Sequence, residues 1–272
     1  MNEHKINTIS DILRELDSVV IGLSGGVDST LLAKLCLDTL GQDKVWVVTG
    51  NSKSVMPEEL EYCKEIVARL QLDNDHFMII DTDELADPNY AANPENRCYF
   101  CKQELFGKFT EIARRVGAKW VIDGSNASDM SDYRPGKKAG EELKVRMPLA
   151  EAGFTKDDIR ELARELDLPN WDKPSMPCLA SRIPYHSNVT AAKLDQIAAA
   201  ERFLRRFGFK QFRVRHHDKI ARLEVDNIDL LLKNGIKEQI DTELKRIGFS
   251  YVTVDLAGFK SGSLNIDIEG KK

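Results

Sequence analysis

The chain has 272 residues, 42% of them apolar, and a formal net charge of −5, enough for one large domain or two modest ones with a sizeable core. The acidic total gives no global attraction to nucleic acid or anionic membrane, and no apolar run reaches the ~20 residues of a membrane span. "MNEHKINTIS" lacks the basic-then-apolar shape of a signal peptide, and five cysteines are few and odd in number, so a cytoplasmic protein without a disulfide framework is expected.

Residues 19–23 read as a buried strand and 29–40 as a helix. Residues 44–50 form a second strand, and 57–70 a helix with Leu60, Cys63, Val67 and Leu70 on one face. A third strand is expected at 76–80, a helix at 100–116 with Leu105, Phe109, Ile112 and Val116 inward, and a fourth strand at 119–124. This alternation predicts an α/β fold with a doubly wound parallel sheet. Ligands in such sheets sit beyond the carboxyl ends of the strands, where residues 24–29, 49–51 and 123–126 fall. Residues 125–190 are loop-rich apart from a helix at 155–166. A helix at 191–207, paired strands at 211–216 and 219–225, a helical stretch at 228–247 and a strand at 251–256 then suggest a small C-terminal α+β domain. The expected division is 1–187 and 188–272.

The junction of the first strand and helix reads Ser24-Gly25-Gly26-Val27-Asp28-Ser29. Glycines let backbone N–H groups approach a phosphate, and the helix aims its positive end at the same point. Ser24 and Ser29 can donate hydroxyl hydrogens, and Asp28 can hold Mg²⁺ beside phosphate oxygens. A plain helix cap is the bland alternative. The Walker pattern is absent, so this is a different phosphate loop. Asn51 and Gly124 stand at neighbouring strand ends. In "DGSNASDMSDYRPG", Asn126, Asp129, Asp132 and Arg134 offer polar contacts to a substrate cleft, or satisfy loop backbone.

Cys98 and Cys101 lie one helical turn apart near a helix start, which favours thiolate. Cys178 sits in a proline-flanked segment, while Cys36 and Cys63 fall on apolar helix faces and read as core. Three thiolates suit a [4Fe–4S] cluster with one iron left open to carry hydrosulfide. A zinc site would need a fourth ligand, for which His186 is the nearest candidate; inert thiols are the third option. Further on, Arg213 and Arg215 alternate with Phe212 and Val214, so two guanidinium groups share one strand face and can grip a phosphate. Arg182, four residues from Cys178, is a candidate for substrate or adenylate contact, with Ser181 beside it.

The opening loop resembles the PP-loop of the ATP pyrophosphatase superfamily. That resemblance implies attack of a substrate oxygen on the α-phosphorus of ATP, with the loop holding the leaving pyrophosphate. "NRCYFCK", "DGSNASDMSDYRPG", "KVRMPLAEAGFTKDDIRELARELDLPNWDKP", "CLASRIPY", "FRVRHHDKIARLEV" and "VTVDLAGFKSGSLN" extend the likeness over nearly the whole chain. Together they resemble the LarE family of sulfur transferases, which build the nickel-pincer nucleotide cofactor of lactate racemase. The resemblance implies a small-molecule nucleotide substrate, pyridinium-3,5-biscarboxylic acid mononucleotide, whose carboxylates are adenylated and converted to thiocarboxylates. It implies ATP and Mg²⁺ at Ser24, Gly25, Gly26, Val27, Asp28, Ser29, Asn51 and Gly124. Substrate contacts would fall at Asn126, Asp129, Arg134, Ser181, Arg182, Arg213 and Arg215, with Asp28, Cys178 and Arg182 catalytic. Some members of the family sacrifice the sulfur of a single cysteine matching Cys178. Others match Cys98, Cys101 and Cys178 with ligands of a [4Fe–4S] cluster whose open iron carries sulfide, and the presence of all three here favours that type. Glu201 and Glu224 match acidic residues that bind a divalent metal at a subunit interface, and a homo-oligomer, up to a hexamer, is implied. The rival readings are a tRNA thiolase and a nucleotide-binding redox or metal sensor without chemistry of its own.

Overall fold

The computed structural model describes residues 3–131, 135–233, 235–260 and 262–263. In chain order they form α1 (Glu3–Leu16), β1 (Val19–Gly22), α2 (Val27–Leu40), β2 (Val45–Asn51), α3 (Pro57–Arg69), β3 (Phe77–Asp81), α4 (Pro88–Ala91) and α5 (Arg97–Val116). β4 (Trp120–Ile122), α6 (Gly136–Glu142), α7 (Pro148–Glu151), α8 (Lys156–Glu165), α9 (Ala191–Leu204), β5 (Phe212–His217), β6 (Ile220–Val225), α10 (Ile236–Ile247) and β7 (Tyr251–Val254) follow. Contacts group the chain into two units: Met1–Glu84 with Asn96–Met176, and Leu85–Glu95 with Pro177–Lys272. Residues 85–95 and 177–187 thus group with the C-terminal unit.

In the N-terminal unit four parallel strands stand in the order β3-β2-β1-β4. Successive side chains of a strand face opposite sides, and both sides are apolar here. Val19, Ile21, Val45 and Val47 pack with Leu13, Leu31, Ile66 and Ile159 of α1, α2, α3 and α8. Val20, Val48 and Val121 pack instead against Phe106, Phe109 and Ile112 of α5. Helices on both faces make the sheet doubly wound, and two-sided burial is why these strands read as unbroken apolar runs. Each fully buried Val, Ile or Phe contributes about 1.5–3 kcal/mol. Truncating Phe109, which is 1% exposed, would cost about 3–5 kcal/mol. The chain steps from β1 outward to β2 and β3, then returns to place β4 on the other side of β1. The switch point of the sheet therefore lies between the carboxyl ends of β1 and β4.

Several elements differ from expectation, among them α6 and α7, short helices in a stretch expected to be loop-rich. α1 has no counterpart among the expected elements, although Ile9, Leu13 and Leu16 are buried at helical spacing. α5 begins at Arg97, so Cys98 and Cys101 both lie inside its opening turns.

The C-terminal unit holds β5, β6 and β7 in that order, with β5–β6 antiparallel and β6–β7 parallel. Phe212, Val214, Leu223 and Val225 pack with Ala200 and Leu204 of α9 and Ile240 and Leu244 of α10. The alternate residues Arg213, Arg215, Arg222 and Glu224 occupy the opposite face, with Arg213 paired to Glu224 and Arg215 to Arg222 across the ladder. The helical stretch expected at 228–247 is divided: a 3₁₀ turn covers Ile228–Leu232 and α10 starts after Gly235, whose φ of 71° breaks the helix. Residues 85–95 are tied in by buried Asn93, whose Nδ2 donates to the carbonyls of Pro184 at 2.7 Å and Ser187 at 3.0 Å. Among the described residues no helix is long and apolar enough to cross a membrane.

Candidate active site

In the N-terminal unit the turn after β1 runs Leu23-Ser24-Gly25-Gly26 into α2. Gly25 has φ +74°, and a Cβ there would stand 3.3 Å from Cys63 Sγ. Only glycine takes that turn without strain. Gly26 occupies the N-cap position of α2, and no side chain caps it. The serines organise the loop instead: Ser29 Oγ accepts the Ser24 N–H at 3.2 Å and donates to the Gly26 carbonyl at 3.1 Å. Thr30 Oγ1 donates to the same carbonyl at 2.9 Å. The capping alternative thus gives way to a preformed turn with no side-chain cap at the start of α2.

The β4 end closes on this loop. A Cβ on Gly124 would lie 3.0 Å from both Ser29 Cα and Ser29 N, so glycine allows the β4 end its close approach to the start of α2. Buried Asn126 donates from Nδ2 to Asp28 Oδ1 at 3.2 Å, and its Oδ1 accepts the N–H groups of Ser128 and Asp129. Asp129 in turn accepts the Asn126 N–H at 3.2 Å. Asp28 Oδ2 accepts a bond from Lys156 Nζ, on the first turn of α8, at 2.5 Å. Asn51, at the end of β2, donates to Asp81 at 2.7 Å. Arg134 and Asp132 lie outside the described residues.

Several groups at this loop carry no individual signal in the sequence. Asn170 is fully buried and donates to the Gly25 carbonyl at 3.1 Å and to Thr30 Oγ1 at 2.9 Å, while its Oδ1 has no hydrogen-bond partner among the described residues. Lys173 Nζ lies 2.6 Å from Glu59, 3.4 Å from the Gly25 carbonyl and 3.9 Å from the Tyr62 ring centre. Lys156, Asn170 and Lys173 are all more than 120 residues from their loop partners, so no local pattern announces them.

Of the cysteines, Cys36 and Cys63 are buried, and burial pushes both thiols up, Cys63 to about 11. They are core residues. Cys98 is exposed and Cys101 half-buried, beside Lys102, which bonds Asp123 at 2.8 Å. Burial works against the Lys102 ammonium, but the Asp123 carboxylate and the Cys101 and Cys98 thiols outweigh it and raise its pKa. Burial likewise opposes the Asp123 carboxylate, and Lys102 with Ser125 outweighs it, so that pKa falls. The Lys102 ammonium is thus within electrostatic reach of both thiols.

Cys178 belongs to the C-terminal unit, half-buried at the start of a 3₁₀ turn, Leu179–Arg182. Among the described residues no three His, Cys, Asp or Glu side chains are grouped so as to hold a metal ion. The chemistry of Cys98, Cys101 and Cys178, none in a disulfide, suits thiolate ligation.

The polar face of the C-terminal sheet is a buried charge network. Arg182 forks onto Glu201 at 2.9 and 2.8 Å, and Glu201 Oε1 also accepts the Val214 N–H at 3.1 Å. Arg215 donates to the Ser181 carbonyl, Glu224 and Ser263, each at 2.7 Å, while its buried Nε has no hydrogen-bond partner among the described residues. Glu224 Oε1 accepts from Arg222 at 3.1 Å and Ser263 at 2.9 Å. Arg213 donates to the Phe212 carbonyl at 2.6 Å and lies 5.1 Å from the Phe259 ring centre. Burial and then repulsion from Arg182 lower its pKa to about 10. Every oxygen of Glu201 and Glu224 is already engaged by these donors. The divalent metal expected on this pair does not fit the arrangement, because the carboxylates serve guanidinium groups. Arg182, Arg215 and Arg222 pair with these two glutamates and half-exposed Asp255.

A family model described as NAD synthase matches residues 3–103, the stretch from α1 to the first turns of α5. Pyridinium-3,5-bisthiocarboxylic acid mononucleotide synthase of Lactiplantibacillus plantarum is 38% identical over 95% of this chain and 92% of its own length. The chain belongs to the LarE family. An uncharacterized Synechocystis protein is 43% identical over 97% of the chain and 98% of its own length. A glutamine-hydrolyzing GMP synthase component of Saccharolobus solfataricus is 24% identical over 93% of the chain and 80% of its own length. LarE membership extends through both units, and the NAD synthase likeness falls on the glycine turn and the sheet around it.

Proposed function

We propose that this protein is an ATP-dependent sulfur transferase that adenylates the carboxylates of pyridinium-3,5-biscarboxylic acid mononucleotide and converts them to thiocarboxylates. The observation that carries the reading is the uncapped start of α2 at the sheet's switch point, in a chain 38% identical to a synthase of the bisthiocarboxylic product. A substrate carboxylate oxygen attacks the α-phosphorus of ATP. The new P–O bond forms as the bond to pyrophosphate breaks, and pyrophosphate leaves with the electron pair. Loop amides, the Ser24 and Ser29 hydroxyls, and Mg²⁺ brought with ATP to Asp28 offset the charge on that leaving group. Lys156 and Lys173 stand beside the loop as further cations, neutralised by Asp28 and Glu59 until nucleotide arrives. Asn51, Gly124, Asn126 and Asp129 shape the neighbouring strand ends.

Sulfide then attacks the acyl carbon. The C–S bond forms, the C–O bond to AMP breaks, and AMP departs. Cys98, Cys101 and Cys178 would hold a [4Fe–4S] cluster, whose chemistry is to supply sulfide at an iron without a protein ligand. Arg213 and Arg215, which share one strand face, receive the phosphate of the mononucleotide, and the buried Arg215 Nε, without a partner among the described residues, is a donor for it. The enzyme works in the reducing cytoplasm, where such thiols persist, as a homo-oligomer. Exposed Tyr251 and Leu256, on and just after edge strand β7, supply apolar surface for a second copy.

The reading is tested with anaerobically purified protein supplied with iron, sulfide, ATP and the dicarboxylate. More than one sulfur delivered per chain supports a retained set of thiols. Product limited to one sulfur per chain, with the Cys178 peptide lighter by one H₂S, marks sacrificial transfer instead. No sulfur in the product with ATP merely bound marks a sensor, and salt-sensitive binding of tRNA marks a thiolase.

A further inference from the structure

The turn that carries Cys178 is short, with Leu179 and Ala180 buried and the Ser181 carbonyl accepting from Arg215 at 2.7 Å. Within it, the Ser181 N–H donates to the Cys178 carbonyl at 2.9 Å and the Ile183 N–H to the Ala180 carbonyl at 3.2 Å. Such isolated 3₁₀ bonds do not fix a loop by themselves. Arg182 adds the bonds that reach the backbone on both sides of Cys178. Its Nη1 donates to the Pro177 carbonyl at 2.6 Å, the Cys178 carbonyl at 3.1 Å and Ser181 Oγ at 2.9 Å. Its other two nitrogens fork onto Glu201 of α9, and Glu201 also takes the Val214 N–H on β5, an outer strand of its sheet. Arg182 and Glu201 are 0% and 1% exposed.

A buried ion pair of this kind adds little net stability relative to apolar packing, because both charges lose their hydration. What it adds is geometry: three guanidinium nitrogens, all engaged, connect the backbone on either side of Cys178 to a helix and a strand. No nitrogen of Arg182 lacks an acceptor for a substrate anion to supply, in contrast to Arg215.

We propose that Arg182 and Glu201 are positioning residues that anchor the backbone of Cys178 to α9 and β5, and not substrate or metal ligands. The catalytic consequence rests on the reading of Cys178 as a sulfur-transfer thiol; the anchor itself is a property of the turn.

Hydrogen exchange of the full-length protein tests it. Arg182→Met with Glu201→Gln removes both charges and keeps an acceptor for Val214. The amides of Ser181 and Ile183 should then exchange about tenfold faster or more, while β5 and β6 stay protected. If the pair of changes unfolds β5–β6, Arg182→Lys carries the test: it keeps the charge, loses the fork, and should loosen the same amides. Unaltered exchange over 178–183 in a folded variant overturns the proposal. In steady-state assays Arg182→Lys should lower kcat for thiocarboxylate formation about tenfold with KM for ATP within about twofold. An unaltered kcat, or a loss confined to KM, contradicts a positioning role. Failure of the sulfur-transfer reading has its own signature, a Cys178→Ser protein that still makes thiocarboxylate, and leaves the exchange result standing.

Discussion

Gly124→Ala is the smallest change that probes the junction of β1 and β4. The added Cβ would sit 3.0 Å from Ser29 Cα and Ser29 N and 3.3 Å from the Asp28 carbonyl carbon. All three are backbone atoms at the start of α2, so no side chain can swing away. Restoring ordinary contact needs a shift of about 0.4 Å, and overpacking of this kind costs about 1–3 kcal/mol. The atoms that must move include the Ser29 amide nitrogen, which the proposed function places beside the nucleotide. A 1 Å misplacement of reacting groups lowers rates by about a hundredfold, so a shift of a few tenths should cost about tenfold. Gly107→Ala is the control, since a Cβ at that position in α5 meets nothing within 4 Å and alanine there favours the helix by about 1 kcal/mol. Pyrophosphate release at varied ATP, with denaturant melts of each protein, separates the two effects. Gly124→Ala should melt earlier and lose at least tenfold in kcat/KM for ATP (about 1.4 kcal/mol), and Gly107→Ala should do neither. A folded Gly124→Ala enzyme within twofold of the parent would refute the close approach as a requirement of the site.

Asp28→Asn separates chemistry from stability. The Asp28–Lys156 pair is partly exposed, 25% and 33%, so its loss should cost about 1 kcal/mol or less, while ATP turnover falls about a hundredfold; a melt shifted by several kcal/mol with turnover intact contradicts both parts. Asp158 gives a pH prediction. Burial opposes its carboxylate, but Lys5 at 2.6 Å and the Thr155 capping box outweigh it and hold the folded pKa at about 2, against 3.8 ordinarily. A depressed carboxylate stabilises the fold above the unfolded value and loses that contribution as pH falls toward the folded one. Denaturant midpoints should therefore drop between about pH 4 and pH 2 by less in Asp158→Asn than in the parent, and equal slopes would contradict the assignment.

Much of the N-terminal unit is legible in the sequence because parallel strands buried on both faces leave runs such as "VVIG" and "VWVV", and amphipathic helices leave Phe109 and Ile112 at helical spacing. The glycine turn is legible because φ at Gly25 and the absence of a capping side chain at Gly26 follow from residue type. What the sequence hides is non-local. Lys156 on Asp28 and Asn170 on Gly25 are contacts that only the folded chain makes. The strand period foretells that Arg213 and Arg215 share a face, but not that Glu224 and Arg222 meet them across the ladder. The family resemblance implies a metal at Glu201, and nothing local in the sequence discloses that its carboxylate meets Arg182, 19 positions away. The break at Gly235 is hidden because apolar residues on both sides keep a helical rhythm through it.

Attack of the substrate carboxylate on the α-phosphorus is tested most directly by oxygen tracing. The dicarboxylate is prepared with heavy oxygen in its carboxyl groups and turned over with ATP and a sulfide source. One heavy oxygen should appear in the released AMP for each sulfur that enters the product, with pyrophosphate formed in equal amount. AMP without heavy oxygen, or ADP and phosphate in place of AMP and pyrophosphate, would contradict adenylation at this loop.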